Sequence, residues 1–310
     1  MSRSLQQKTV LAALSLGILA LCSCQAGLPR GDKALGEARA LADKVSTAFI
    51  SDCGCSLTET PGEKPELSPA EQMADFSSLT ALFAAFNSLN RLCPERDYSD
   101  KTIDLMAENL DKYFDTDKRP FAYQQRPREQ GSFGRDTWDN ILAGYAFVDL
   151  AELASRDNYL WKAEEILSSL SGGDNKAEAG LGFLAARLFQ ANQNSRYLEQ
   201  AVSLFGKAPD FPTALLLYEI MGEGKYLDEA KKLAPAWSKD TGRAVPLLPY
   251  LLTLNSFGKC GVDPDAICKA ALSPLGKDPD GLYYQGSKSA PRDLGVQATT
   301  LSSLCSLASR

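Results

Sequence analysis

Two aspartates, Asp136 and Asp139, begin a long apolar run and are the residues best suited to acid chemistry in this sequence. Hydrolysis of a glycosidic bond uses two carboxyl groups that flank the bond that breaks. Residues three apart on a helix share one face, so these two carboxylates would lie close together. A second acid is therefore expected from another loop, and the candidates are Asp174, Asp210, Asp240 and Asp280.

The same two aspartates also fit a purely structural role. Asp136 has the type and position of a helix N-cap, and Asp139 at the third helical position suits the positive end of the helix dipole. A carboxylate at the start of a helix can serve both roles, so the alternatives stay open for both residues.

Aromatic and arginine residues near the predicted loops could bind the rest of a sugar chain. An aromatic face offers apolar area beside a polar edge, and an arginine can pair with a carboxylated sugar through two hydrogen bonds. The candidates are Trp138, Tyr123, Trp237, Tyr283, Tyr284, Arg126 and Arg243. The alternative is packing within the loops for the aromatics and a solvated surface for the arginines.

Histidine is absent from all 310 residues, which excludes Ser-His triads and histidine metal sites. No CxxC pair supports a zinc site, so neither a metal nor a cofactor is expected. Removing Arg3 and Lys8 with the N-terminal segment leaves 31 of 33 basic residues against 39 acidic ones, a net charge of −8. An acidic domain is a poor phosphate binder, so a nucleic-acid partner is not expected.

The N-terminus resembles a bacterial lipoprotein signal peptide. Arg3 and Lys8 precede an apolar stretch over 9–21, which is too short for a comfortable membrane span. Ser23 before Cys24 fits the small residue that precedes a lipidated cysteine. We therefore expect a signal peptide over 1–23, a lipid anchor on Cys24 and a tether over 24–31.

Gln25 is not an inner-membrane retention signal, which favours the outer membrane, on its periplasmic or surface face. An ordinary secretory signal is the alternative.

Six cysteines follow Cys24, an even number that suggests disulfide bonds outside the cytosol. Six cysteines allow 15 pairings, and the sequence does not choose among them. Cys53 and Cys55 are too close for an easy mutual bridge. Cys260 and Cys268 flank a short turn and are a candidate pair, with two free buried thiols as the alternative.

Apolar and amphipathic helices alternate along the chain. Periodicity predicts strongly apolar helices that start near 69, 136, 174, 212, 246 and 292. Amphipathic helices are predicted to start near 32, 100, 158, 196, 225 and 263. Six inner and six outer helices make a closed ring, an all-α (α/α)6 toroid over 32–310, in which the first helix lies outside the last.

Connection lengths predict on which face of this ring a site lies. Inner-to-outer connections are short, whereas most outer-to-inner connections are longer and carry the aromatic residues, at 51–68, 115–134, 235–245 and 273–291. All the longer ones meet at the N-termini of the inner helices. Functional residues concentrate on such loops, so a cleft is expected there.

The phrases Trp138-Asp139-Asn140 and Asp157-Asn158-Tyr159-Leu160 with Ala163 resemble the six-hairpin glycosidase superfamily, which includes endo-α-mannanases and unsaturated glucuronyl hydrolases. The resemblance covers about residues 69–310 and implies a glycosidase-like protein that acts on or binds a polysaccharide. The mannanases use an adjacent pair of aspartates, which this sequence lacks. A non-catalytic ligand-binding lipoprotein and a helical-repeat scaffold of the cell envelope are therefore the alternative functions.

Overall fold

Twelve α-helices make up most of the described chain in a computed structural model. The structure describes residues 28–50, 57–62, 73–96, 98, 103–115, 122–127, 134, 136–155, 157–171, 179–290 and 292–310. The predicted anchor Cys24, the pair Cys53 and Cys55, and the candidate acid Asp174 lie outside these residues.

The helices alternate between an inner and an outer ring, which confirms the predicted (α/α)6 toroid. The inner helices are α2 (Phe76–Leu92), α4 (Thr137–Ala154), α6 (Leu181–Asn192), α8 (Phe211–Met221), α10 (Thr241–Leu251) and α12 (Leu294–Ala308). The outer helices are α1 (Asp32–Ala48), α3 (Asp104–Leu110), α5 (Leu160–Ser171), α7 (Ser195–Lys207), α9 (Gly224–Trp237) and α11 (Pro264–Leu272). Short 3₁₀ turns lie at Pro94–Arg96, Asp111–Tyr113, Asp157–Tyr159 and Phe257–Cys260.

The last helix closes the ring. Helix α12 packs against α2 on its inner side and against α1 on its outer side. The Gly31 N–H donates to the Leu307 carbonyl at 3.1 Å, which fixes the start of α1 beside the end of α12. The first helix thus lies outside the last, as the alternation predicts.

Burial separates the two rings. Every residue from Asn140 to Ala151 on inner helix α4 is buried, whereas only Ala201 and Leu204 are buried on outer helix α7. A helix that is apolar on all sides is stable only when it is surrounded, and an amphipathic helix buries one stripe. The two patterns in the sequence therefore decide the ring to which each helix belongs.

Three predicted helix starts are wrong. The helix predicted from Pro69 begins at Phe76, because Met73 forms a β-bridge with Thr58 just before it. The helix predicted from Asp174 begins at Leu181, after Gly180 in the left-handed region.

The third wrong start concerns inner helix α10. This helix was predicted to begin at Pro246 but begins at Thr241, where Asp240 accepts from the Arg243 N–H as an N-cap. Pro246 and Pro249 both lie inside the helix. Trp237 was predicted in a loop and instead ends helix α9.

Two small β-hairpins occupy two of the long outer-to-inner connections. Strand β1 (Phe114–Asp115) pairs with β2 (Ala122–Tyr123), and β3 (Leu275–Lys277) pairs with β4 (Tyr283–Gln285), both antiparallel. The second of these connections, within 273–291, was predicted as a loop, and the first hairpin lies at the start of the connection predicted over 115–134. The hairpins lie beside the N-termini of α4 and α12.

A buried polar network fills the ring axis towards the C-terminal ends of the inner helices. Arg187 on α6 is almost fully buried and pairs with Asp149 at 3.0 Å and with Glu152 at 2.7 Å, both on α4. Its guanidinium carbon lies 4.3 Å from the ring centroid of Tyr250 on α10. Arg91 on α2 also pairs with Asp149, at 2.5 Å. Four inner helices thus meet at one cluster on the axis.

The described cysteines are free thiols, so the suggested Cys260–Cys268 bridge is not present. Cys93, Cys260, Cys268 and Cys305 are all buried and unpaired. The Cys260 thiol donates to the Ser256 carbonyl within its own turn, whereas the Cys268 thiol donates to Ser303 on α12. The two thiols therefore serve different contacts, and burial raises the pKa of both.

Candidate active site

A cleft with two adjoining lobes lies where the N-termini of α2, α4, α10 and α12 converge. The lobes have volumes of about 410 and 390 Å³ and share Ser78, Gly242, Gly295 and Thr299. We call the two together the central cleft. The first lobe contains Glu59 and Asp293, and the second contains Trp138, Asp139, Asp240 and Arg243. The position matches the face on which the longer connections were predicted to meet.

Asp139 is held in the second lobe by its neighbours on both sides. The Gln125 side-chain amide donates to Asp139 Oδ2 at 2.9 Å, and the Asp139 N–H donates to Asp136 Oδ1 at 2.9 Å. Burial raises the pKa of Asp139 to about 6, with a further contribution from the Asp136 charge, while the Gln125 hydrogen bond opposes the rise. Asp139 is thus a fixed carboxylate whose proton affinity is above that of an ordinary aspartate.

Asp136 is the N-cap of α4, as its sequence position predicts. It is exposed, and the described lobes do not include it. The two predicted acids therefore differ: Asp136 stabilises the helix end, and only Asp139 lines the cleft.

Trp138 lines the same lobe as Asp139 and is held from two directions. Gly180 has a φ of 102°, a conformation that favours glycine, and a Cβ there would make a tight contact of 3.2 Å with the Trp138 ring. The guanidinium carbon of Arg243 lies 5.2 Å from the centroid of the Trp138 ring, within cation–π range. The indole is therefore a supported platform at the cleft wall.

The other predicted aromatic residues pack elsewhere. Tyr123 is buried and stacks on Phe76 with ring centroids 5.3 Å apart, so it belongs to the core. Trp237 is also buried, with its ring 4.6 Å from that of Phe211. The prediction that these two rings stack on sugar is therefore wrong, because both rings pack against aromatic residues of the protein.

The β3–β4 hairpin holds the remaining two tyrosines. The Tyr283 backbone is bound by Gln297, and burial raises the pKa of its hydroxyl to about 12. Tyr284 is buried over Gly276 and lines a separate cavity of about 430 Å³ with Lys277, Asp278 and other residues.

The two predicted arginines are paired with protein groups. Arg126 pairs with Asp75, the N-cap residue of α2, at 2.6 Å. Arg243 lines the cleft and lies 3.8 Å from Asp240. Asp210, another candidate acid, is the N-cap residue of α8, and its burial raises its pKa to about 6. Asp280 is exposed between β3 and β4.

Glu59 and Asp293 are cleft acids that no pattern in the sequence singled out. Glu59 lies in the long connection 51–68, where no acid was singled out, yet burial raises its pKa to about 7. Its backbone carbonyl accepts from the Leu294 N–H at 2.9 Å, which draws the residue to the start of α12. No periodic pattern in the sequence indicates that Glu59 lies at the cleft. Its position there depends on the closure of the ring, which brings α1 beside α12.

Metal binding and membrane spanning have no structural support in the described part of the chain. No group of three or more Cys, Asp or Glu residues there could hold a metal ion. No helix among the described residues has the length and apolarity needed to cross a bilayer.

No family model matches this sequence, and no curated protein matches it. Solved structures do share its fold. A family 76 glycoside hydrolase from a bovine Bacteroides thetaiotaomicron strain superposes with a TM-score of 0.69 at 16% identity, covering 89% of this chain and 77% of the other. A family 76 mannosidase from B. thetaiotaomicron VPI-5482 gives 0.66 at 16% identity, covering 89% and 98%.

This chain has the fold of family 76 glycoside hydrolases. An inactive α-1,6-mannanase variant from Salegentibacter sp., solved with α-1,6-mannotetraose, superposes with a TM-score of 0.63 at 13% identity, covering 89% of this chain and 98% of the other. That variant carries alanine in place of two adjacent aspartates. No two aspartates are adjacent anywhere in the present sequence, where Trp138 precedes Asp139.

Proposed function

We propose that this protein is a surface-anchored, carbohydrate-active protein that holds a glycan chain in the central cleft. The observation that carries the proposal is the presence of the Trp138 ring and the Asp139 carboxylate in one lobe. An indole face suits the apolar side of a sugar ring, and a carboxylate accepts hydrogen bonds from sugar hydroxyls.

The cleft favours a neutral sugar chain. Its described carboxylates are Glu59, Asp139, Asp240 and Asp293, whereas Arg243 is its one described cation and already lies beside Asp240. Like charges repel, so a chain of carboxylated sugars suits this cleft poorly. The structural relatives support the same choice, because one of them is solved with α-1,6-mannotetraose. We therefore take a mannose oligosaccharide as the probe.

A lipid on Cys24 completes the proposal. The cysteine follows Ser23 after the short apolar stretch and is the first residue of the tether 24–31, which leads to α1. Such an anchor would place the glycan-binding domain at the outer membrane without a spanning helix.

Calorimetric titration of the purified protein with α-1,6-mannotetraose tests glycan binding. Trp138→Ala should weaken binding about tenfold, because it removes the aromatic contact. Trp161→Ala is the matched control, since Trp161 is an exposed tryptophan on outer helix α5. Failure of the wild-type protein to bind, or equal binding by Trp138→Ala, would contradict the proposal.

Glycan binding without catalysis is the second candidate function. It is favoured by the absence from this sequence of the adjacent aspartates that are replaced in the inactive mannanase. The two candidates share the central cleft and differ in turnover, which the release of reducing ends from α-1,6-mannotetraose measures directly.

A further inference from the structure

Glu59 is fixed at the cleft by its backbone. The preceding residue, Thr58, donates its N–H to the Phe49 carbonyl at 2.8 Å, and Leu294 donates to the Glu59 carbonyl at 2.9 Å. These contacts join the segment to the end of α1 and to the start of α12. The residue therefore keeps one position relative to the inner ring.

The Glu59 carboxylate is also fixed, by two donors at the start of α2. The Asp75 N–H donates to Oε2 at 2.8 Å, and the Ser78 hydroxyl donates to Oε1 at 2.9 Å. Gly295 leaves room for this arrangement, because a Cβ there would lie 3.0 Å from Ser78 Oγ. A carboxyl group held by two donors beside a cavity has the fixed geometry that proton transfer to a ligand needs.

Ser78 connects the two halves of the cleft. It contacts Glu59 by the hydrogen bond and is one of the four residues shared by both lobes, and Asp139 lines the second of these lobes. Glu59 comes from the segment before α2 and Asp139 from the start of α4. The two carboxyl groups thus line adjoining lobes of one cleft from different elements, and Ser78 lines both lobes. Glycoside hydrolysis likewise uses two carboxyl groups that flank the bond that breaks.

The environments of these two groups suggest different roles. Burial raises the pKa of Glu59 to about 7 and that of Asp139 to about 6. At neutral pH Glu59 is the more protonated of the two, which suits a general acid, and Asp139 is mostly ionised, which suits a general base.

We propose that Glu59 is the proton donor, and Asp139 the proton acceptor, for hydrolysis of a glycosidic bond in the central cleft. This inference rests on the glycan-binding function proposed above. Glu59 gives its proton to the glycosidic oxygen, and the bond from that oxygen to the anomeric carbon breaks with its electron pair moving to the oxygen. A water molecule bonds to the anomeric carbon and gives its proton to Asp139. One water is consumed, two hydroxyl ends are formed, and solvent returns the proton from Asp139 to Glu59.

Glu59→Gln in the full protein tests the assignment with α-1,6-mannotetraose. The substitution keeps the shape of the side chain and removes its transferable proton. Turnover, measured as released reducing ends, should fall by at least about 100-fold, while the dissociation constant changes by less than about threefold. Glu199→Gln on outer helix α7 is the matched control and should leave both values unchanged, because Glu199 is exposed and does not line either lobe of the cleft.

The outcomes separate this inference from the proposed function. Binding with turnover that survives in Glu59→Gln would overturn the role of Glu59 and leave glycan binding intact. Binding of the tetraose by the wild type without any turnover would overturn catalysis by this pair and favour the non-catalytic function. Loss of binding in the wild type would overturn both.

Ser78→Ala is a second variant that does not alter either carboxyl group. The Ser78 hydrogen bond lowers the pKa of Glu59, so its removal should raise that pKa further. The basic limb of the kcat/KM profile, where the acid loses its proton, should then move to higher pH. An unchanged basic limb in Ser78→Ala would overturn the assignment of Glu59, even if Glu59→Gln failed to fold.

Discussion

The side-chain amide of Asn140 binds both backbone groups of Tyr123. The Tyr123 N–H donates to Asn140 Oδ1 at 2.8 Å, and Asn140 Nδ2 donates to the Tyr123 carbonyl at 2.9 Å. Gln297 binds Tyr283 in the same way, at 3.0 and 2.8 Å. Asn140 and Gln297 are each the fourth residue of an inner helix, α4 and α12. The same pair of side-chain amide hydrogen bonds therefore holds each β-hairpin beside the cleft.

Asn140→Ala should destabilise the protein by about 2–4 kcal/mol, because it leaves a buried N–H and a buried carbonyl of Tyr123 without partners. Hydrogen exchange should increase at the β1–β2 hairpin, and Gln297→Ala should have the same effect at β3–β4. Asn192→Ala, which removes an exposed amide at the end of α6, is the control. Unchanged exchange at both hairpins would show that strand pairing alone holds them.

Asp139→Asn should abolish glycan turnover, or binding if there is no turnover, without loss of helical circular dichroism. Asparagine can still accept the Gln125 hydrogen bond, so the fold does not depend on the charge. Asp136→Ala should instead cost on the order of 1 kcal/mol of stability, as expected for loss of the N-cap side chain. Full activity of Asp139→Asn would contradict its assignment to the site.

The stability of the protein should depend on pH through Glu59. Its pKa is about 7 in the folded state against an ordinary value of 4.5, so between these values the unfolded chain is ionised while the folded protein keeps the proton. Wild-type stability therefore falls as pH rises from about 4.5 to 7, by about 2–3 kcal/mol. Glu59→Gln has no such carboxyl group. In denaturant titrations, its free energy of unfolding should therefore rise relative to that of the wild type between pH 4.5 and pH 7.5. The same pH dependence of the free energy of unfolding in both proteins would contradict a raised pKa for Glu59.

Arg187→Met should destabilise the protein by about 3–5 kcal/mol, because it removes one partner of a buried ion pair. Arg91 still contacts Asp149 in this variant, which places the expected cost near the lower end of the range. Arg196→Met, at an exposed position on α7, is the control for thermal unfolding. A loss below 1 kcal/mol would mean that the network contributes little beyond packing.

Metabolic labelling with a lipid analogue tests the anchor. Cys24→Ala should lose the label and Cys22→Ala should keep it, because Ser23 is the small residue that precedes the modified cysteine. Labelling that depends on Cys22 would move the anchor by two residues, and labelling of neither residue would favour an ordinary secretory signal.

The ring could be predicted from the sequence because its cause is repeated and local. Apolar helices such as α4 and amphipathic helices such as α7 differ in composition along their whole length, so each pattern predicts its own burial. Helix starts are less predictable because they depend on single residues. Pro246 has the residue type typical of a helix start, yet α10 begins at Thr241, where the Asp240 side chain caps the first turn. Pro246 lies inside the helix, where proline is uncommon.

The candidate site could be predicted only in part. Trp138 and Asp139 were found because they begin an inner helix, which the helical pattern places at the cleft. Tyr123 was misjudged because its burial depends on Phe76, which is 47 residues earlier in the chain. Glu59 was missed for a similar reason, since its desolvation depends on Asp75 and Leu294. Contacts between distant segments carry no periodic signal.

The buried cluster around Arg187 gives the central cleft a floor. Tyr145, Phe183 and Tyr250 from three inner helices contact one another there, with ring centroids 5.6 to 6.0 Å apart, and the arginine is enclosed with them. Within the part of the chain that the structure describes, packed side chains thus close the ring axis at this end, and the ring is a bowl and not a tunnel. A polymer cannot pass through the ring. A bound glycan must therefore lie across the open face or insert one end into the cleft, and it must enter and leave through the same opening.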